Sequence, residues 1–226
     1  MTKLPPPPAR PAARRRKPLS RDRVLLAAIG LADEGGLESV SMRKVGQVLR
    51  VEAMSLYKHV ANKDDILDGM ADLVTGDFEV PAAGADWKTS IRRSAVSTHQ
   101  VLLRHPWASS LIESRVNAGP ARLRYLEAVI GVLSAAGFPM PMVVRAIMAL
   151  DSYTYGFVLQ ELAWPFDAEN APGAAAAFAG GLPAGDYPNL MAMAEMAAVP
   201  GGASVDFEFG LDLILDGLER VSMAGR

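Results

Sequence analysis

The residues of this chain best suited to chemistry lie between Ser41 and Lys63, and that chemistry is recognition of a polyanion. Arg43, Lys58 and Lys63 occur there among Ser55, Tyr57 and His59. Cations interleaved with hydroxyl and ring groups neutralise phosphates and meet base edges, whereas covalent catalysis needs a nucleophile beside a base. The sequence contains neither Gly-x-Ser-x-Gly nor His-Glu-x-x-His, nor a phosphate-cradling glycine pattern. It has no cysteine, which removes disulfides, thiolate zinc sites and cysteine nucleophiles. His99 and His105 have no Asp or Glu three or four residues away, so neither presents a metal-binding face on a helix. The expectation is a protein that is not an enzyme, with no catalytic residue, no metal and no cofactor.

The elements that must position these residues are helical. Ser20 is a candidate N-cap for a helix over Arg21 to Glu34, with Val24, Leu25, Ala28, Ile29, Leu31 and Ala32 at three- and four-residue spacing and Gly35-Gly36 as its stop. Ser41 caps a second helix whose inner face is Val45, Val48 and Leu49. A third runs from Ala53 to His59, with Leu56 and Val60 facing inward. Asn62 and Asp65 form a shortened capping box for a fourth, striped by Ile66, Leu67, Met70, Leu73 and Val74. Short helices with a tight turn before the reader make a helix-turn-helix head. In such a head the N-terminal residues of the reading helix, here Ala53, Met54 and Ser55, meet base edges. Tyr57 and Lys58 then face the backbone, and Arg43 and Lys63 reach base or phosphate.

Charge is distributed to match. The formal total is −2, yet thirteen Lys or Arg stand against five Asp or Glu from Met1 to Lys63, and ten against twenty in the rest. A basic head on an acidic body gives a local positive field despite a near-neutral whole. Residues 1–19, with Pro5 to Pro8 and Arg14 to Lys17, are too proline-rich and charged to fold and read as a disordered basic arm. The head covers 20–80 and a helical regulatory and dimerisation domain covers 81–226. Helices are predicted at Trp87 to Arg104, Pro106 to Asn117, Ala121 to Ala136, Met142 to Leu162 and Asp206 to Met223. The Ala/Gly/Pro-rich stretch 165–204 reads as a mobile insert with at most one short helix, Asn189 to Ala198. The longest apolar run near the start, Val24 to Ala32, is too short to span a bilayer. With no signal-peptide pattern and no cysteine, the chain is expected in the cytoplasm and off the membrane.

The run from Ser41-Met42-Arg43 through Leu56-Tyr57-Lys58-His59 to Asn62-Lys63 closely resembles the DNA-binding signature of the TetR family of bacterial transcriptional repressors. The resemblance covers Leu19 to Val74 strongly. It continues more weakly through Trp87, Gly137-Phe138 and Phe207 to Glu219, which look like a tetracycline-repressor-type regulatory domain. It implies an all-α fold in which a three-helix reading head joins a larger ligand-binding and dimerisation domain. Its partners would be a double-stranded palindromic operator, a second copy of the chain and a small effector. It also implies that His59 packs the head and touches the DNA backbone. Two departures stand out. Ala53-Met54-Ser55 replaces the usual Gln-Pro-Thr, exchanging an adenine-reading amide for apolar contact suited to a thymine methyl. Arg50 stands at the turn position where Gly is common.

The core is read next for its effector. The Met142 to Leu162 segment is apolar nearly all round, which requires burial on more than one side. With the last helix (Phe207, Phe209, Leu211, Leu213, Ile214, Leu218) it suits the four-helix dimer interface usual in that family. Candidate pocket residues are Trp107, Leu111, Met148, Asp151, Tyr155 and Trp164, since aromatics and methionines give an adaptable wall and a few polar groups orient a guest. Aligned with the tetracycline repressors, the histidine that binds their drug-chelated magnesium falls on Leu111, their pocket asparagine on Ser94 and their glutamate near Gln160. The expected effector is therefore mostly apolar and needs no divalent metal. The rival reading is an architectural DNA-binding protein with no effector.

Overall fold

Ser20 starts the first helix because its side-chain oxygen accepts from the Arg23 amide (3.4 Å), one of the donors a helix start leaves without a partner. The computed structural model describes residues 18–115, 119–163, 171–183, 185–199 and 206–224. Nearly all of the expected arm lies outside the described residues; Leu19, assigned to it from the sequence, packs against the head core. Helix α1 runs Arg21–Gly35, and Gly36, at φ 69°, turns its amide back onto the Ala32 carbonyl. After a 3₁₀ turn at Leu37–Ser39, Ser41 caps α2 (Met42–Leu49), and α3 follows at Ala53–Leu56.

The sequence predicts α3 through His59, and the structure ends it a turn earlier. The His59 and Val60 amides both donate to the Leu56 carbonyl (2.8 and 3.0 Å), a tightened last turn that buries Val60 and delivers the chain to Asn62. There α4 (Lys63–Thr75) begins on the expected reciprocal cap: Asn62 accepts from the Asp65 amide (2.8 Å) and the Asp65 carboxylate from the Ala61 amide (2.7 Å).

Seven more helices build the larger domain: α5 (Trp87–Arg104), α6 (Ala108–Ser114), α7 (Pro120–Ala135), α8 (Met140–Ala163), α9 (Ala171–Gly180), α10 (Pro188–Ala197) and α11 (Phe207–Ala224). The fold is all-α among the described residues. Helix α8 starts before the expected Met142 because Pro141 is tolerated in a first turn, where the Pro139 carbonyl accepts from the Met142 and Val143 amides (2.7 and 3.1 Å). By length and composition α8 could cross a bilayer. It is instead a core helix, burying Val143, Ala146, Leu150, Thr154 and Val158 on one face. The stretch expected to hold at most one helix holds two, α9 and α10, packed on each other through Ala175, Ala194 and Ala197. Alanine is the strongest helix former, so the run Ala174 to Ala177 that resembles low-complexity linker in composition propagates a helix.

Two hydrophobic cores result. One joins the head to the ends of α5, α6 and α8 through Val101, Leu102, Trp107, Ala108, Leu111, Ile112 and Val158; the other lies between α5, α7, α8 and α11. Polar bonds tie the same joint. One Asp72 carboxylate oxygen on α4 accepts the Ala121 and Arg122 amides (2.8 and 3.2 Å), capping α7 from a distant helix. Gly119 is required beside it, because a Cβ there would collide with that carboxylate. Arg115 donates to Asp64 and Asp68 of α4 (3.2 Å each). Replacing Asp72→Ala orphans two amides of α7 and is expected to destabilise the protein by about 1 kcal/mol in urea unfolding.

Candidate nucleic-acid interface and core cavity

The turn between α2 and α3 is fixed by three local choices. Arg50 adopts the left-handed conformation (φ 57°, ψ 48°) at the end of α2, the one non-glycine residue among those described to do so. Its amide donates to Gln47 O (3.1 Å) and the Val51 amide to Gly46 O (2.9 Å), a Schellman-type stop. Gly46 lets the turn close, since a Cβ there would sit 2.9 Å from the Val51 carbonyl oxygen. Leu56 and Val60 are buried, as expected, and lock α3 onto α1 and α2.

What remains exposed is the outer surface of this segment. Met54 is 75% and Tyr57 47% exposed, Lys58, Arg43 and Lys63 are exposed, and Ala53, Ser55 and His59 are half-buried. These eight residues thus lie on one short continuous segment of the head. Val48, expected on the inner face of α2, is instead 53% exposed and belongs to the same surface, because Val45 and Leu49 already fill the inward stripe. Arg21 donates to both Asp65 carboxylate oxygens (2.6 and 2.9 Å), which holds the start of α1 to the start of α4 behind Lys63. The Arg21 guanidinium keeps the Asp65 carboxyl below the usual carboxylate range.

The six pocket candidates do not converge. Trp107 donates its indole N–H to Asp33 (2.6 Å) and, with Leu111, fills the head-side core, so both act as structural joints. Met148 is 63% exposed on the outer face of α8, and Tyr155 packs against the head-side core. Trp164 lies outside the described residues. Of the five that are described, Asp151 alone lines the core cavity, a space of about 20 Å³ bounded by Ile91, Ser94, Ala95, Thr98, Tyr125, Leu126, Val129, Ile147, Leu150 and Thr154. Burial, then the nearby Glu113 carboxylate, pushes the Asp151 carboxyl up from the ordinary 3.8 to about 6, against a smaller pull from Arg122.

Sequence reasoning missed the partners that act across long separations. Ser94 and Thr98 meet the Tyr125 hydroxyl (3.2 and 3.4 Å), and Tyr125 meets the Phe78 ring edge-on at 5.5 Å between centroids. His105 pairs with Asp33 (2.8 Å) and His99 with Glu161 (2.7 Å), with His99 stacked on Phe207. Nothing in local spacing flags these pairs, whose hydrogen-bonded members lie 27 to 72 residues apart. Among the described residues no cluster of His, Asp and Glu could hold a metal ion.

Comparison with known proteins places this arrangement. A family model described as the tetracyclin repressor-like C-terminal domain matches residues 80–222. The chain is similar to an HTH-type transcriptional regulator of Saccharopolyspora erythraea, 36% identical over 208 residues and covering 90% of this chain and 86% of that relative. It is also similar to the HTH-type transcriptional repressor DrrR1 of Streptomyces coeruleorubidus, 35% identical with 93% and 81% covered. Among solved structures, the TetR family protein ActR of Streptomyces coelicolor in complex with actinorhodin superposes with a TM-score of 0.72 at 28% identity, covering 91% of this chain and 99% of that one.

Two substitutions test this geometry. Arg50→Gly relieves a left-handed side-chain residue and is expected to raise stability by about 1 kcal/mol in chemical unfolding. Asp151 is harder to ionise folded than unfolded, so its ionisation costs nothing well below pH 4 and the full penalty is present above about 6. Asp151→Asn should therefore gain stability over the parent as pH rises through that window, by on the order of 2 kcal/mol at pH 8, and match it at pH 3.

Proposed function

The chain belongs to the tetracycline-repressor-like (TetR) family of transcriptional regulators, and from that premise we propose that it is a homodimeric repressor, released from a palindromic operator by a small molecule. The observation that carries the dimer is a pair of apolar stripes left exposed among the described residues. On α8, Met140, Val144, Met148 and Leu159 recur at helical spacing on the exposed side, opposite the buried stripe. On α11, Phe209 is 65% and Leu213 55% exposed while Phe207, Leu211 and Leu215 are buried. Two neighbouring helices with apolar stripes on their outer faces suit a self-complementary four-helix contact about a two-fold axis.

Such a dimer sets two α3 helices about 34–36 Å apart, one turn of DNA, and so matches a palindrome. Ala53, Met54 and Ser55 meet base edges and Arg43 a base or phosphate. Tyr57, Lys58 and Lys63 hold the backbone, and half-buried His59 packs the head. The effector acts by population shift: it favours a core arrangement whose head spacing no longer fits the operator. Helix α4 is the lever, since Asp64, Asp68 and Asp72 tie it to the core through Arg115 and the start of α7. The walls of the core cavity are mostly apolar, which supports an effector with an apolar body that needs no divalent metal.

Mobility-shift titration on selected against random duplexes tests the reading. The repressor should prefer one palindrome by about a thousandfold or more, whereas an architectural protein shows little ratio. Tyr57→Ala and Lys63→Ala should each weaken binding evenly across sequences and lower the salt slope by about one unit, while Ser55→Ala should change preference at a single base position. Leu213→Glu should yield monomer by light scattering and abolish tight operator binding. Leu213 is a better probe than Ile214, which is half-buried against its own core. A monomeric parent at micromolar concentration overturns the dimer.

A further inference from the structure

Where its backbone takes a positive φ the chain uses glycine, at Gly36, Gly84, Gly137 and Gly185, with one exception among the described residues. That exception is Arg50, at φ 57° and ψ 48° between α2 and α3. A Cβ makes the left-handed conformation costly, and Asn or Asp are its usual non-glycine occupants because their short side chains bond locally. Arginine has no such local bond to offer.

The fold draws nothing else from this side chain. Arg50 is exposed, so it fills no core, and its guanidinium has no hydrogen-bond or ion-pair partner among the described residues. Glu52, two residues on, is also exposed and makes no side-chain bond to the start of α3. A residue held in a strained conformation without a use inside the fold points to a use outside it.

Position says what that use is. Only Val51 and Glu52 separate Arg50 from the first residue of α3, and the Val51 amide, donating to Gly46 O (2.9 Å), keeps the turn tight. In two-helix readers the start of the second helix enters the major groove, so the turn just ahead of it lies beside a phosphate strand that walls the groove. Ala53, Met54 and Ser55 bring no charge to that strand, and Glu52 brings the wrong sign. A guanidinium is a permanently charged planar fork that matches phosphate oxygens in pairs.

We propose that Arg50 is a DNA-phosphate contact, presented by the left-handed turn to the strand that borders α3. It adds a cation at the leading edge of the reader to those of Arg43, Lys58 and Lys63. This rests on the reading of the head as a sequence-specific DNA reader, and it explains why the turn tolerates a residue that its own backbone disfavours.

Anisotropy titration of the full-length protein on a selected palindrome and on a random duplex, over a range of salt, tests the contact. Arg50→Gly and Arg50→Asn both keep a residue suited to the turn and remove the charge. Each should lower the salt slope by about one unit per subunit bound and weaken both duplexes alike, by roughly eightfold per subunit at about 0.1 M salt and by little near 1 M. Arg50→Lys should restore the slope. Arg124→Asn, which removes an exposed cation from α7 of the larger domain, should leave slope and affinity unchanged. Urea unfolding should show Arg50→Gly at least as stable as the parent, so that weaker binding is not loss of fold. An unchanged slope in Arg50→Gly and Arg50→Asn, a preference altered at one base position, a slope that Arg50→Lys fails to restore, or an equal effect from Arg124→Asn each overturns the proposal. A parent that prefers one palindrome while the Arg50 variants keep its slope refutes only the contact. A parent with no preferred sequence, whose slope still falls in those variants, refutes only the repressor reading.

Discussion

Tyr125 belongs to both hydrophobic cores at once, and the rest of the molecule is arranged around that fact. Its ring meets Phe78, where the head ends, and its hydroxyl bonds Ser94 and Thr98 of α5 inside the cavity wall. A side chain of this size cannot shift for one neighbour without shifting for the other, because close-packed interiors transmit displacement rather than absorb it. The head core is completed by Trp107, Leu111 and Ile112 from the larger domain, so the head is not closed off from it. Reading surface and cavity are thereby two ends of one packed body. Coupling between them needs no signal beyond ordinary contact, given two arrangements of that body for ligand and DNA to choose between.

The same body carries costs that packing alone would not select. A left-handed arginine at the turn between α2 and α3, a half-buried carboxylate in the cavity wall and apolar stripes on α8 and α11 each lower the stability of an isolated chain. Each sits where a binding event takes place or is proposed: DNA, effector or second subunit. Proteins commonly trade stability for function at such positions, and the trade is visible here because the surrounding helices are so regularly capped.

Much of this was legible in the sequence because it is local. Ser20, Ser41 and Asn62 with Asp65 are readable within four residues and appear in the structure as expected, as does the α4 stripe of Ile66, Leu67, Met70 and Val74; Leu73, read as part of that stripe, is instead exposed. The residues proposed to read DNA lie on one unbroken segment, so the sequence could name them together. The core site was not. Trp107 and Leu111 have the composition of a pocket wall, yet Asp33 and the head-side core claim them from far along the chain. Met148 looked like lining because hydropathy cannot tell an inward from an outward face on a helix apolar all round. The alanine-rich stretch was misread since composition suggested linker where propensity favoured helix, and Val48 was misplaced because two neighbours already filled its stripe.

Helices α9 and α10 carry a consequence for how the molecule breathes. They pack mainly on each other, and they do so through alanines, whose contacts remove little surface from water per residue. Among the described residues, neither helix contributes a side chain to the two large cores. Opening this hairpin therefore uncovers, among the described residues, little apolar area and breaks no interhelical cap, the conditions under which a segment opens locally at less free-energy cost than the whole fold. Amides of α9 and α10 then exchange with solvent through local excursions, while those of α4, α5 and α7 exchange only when the joint built on Tyr125 and Asp72 gives way.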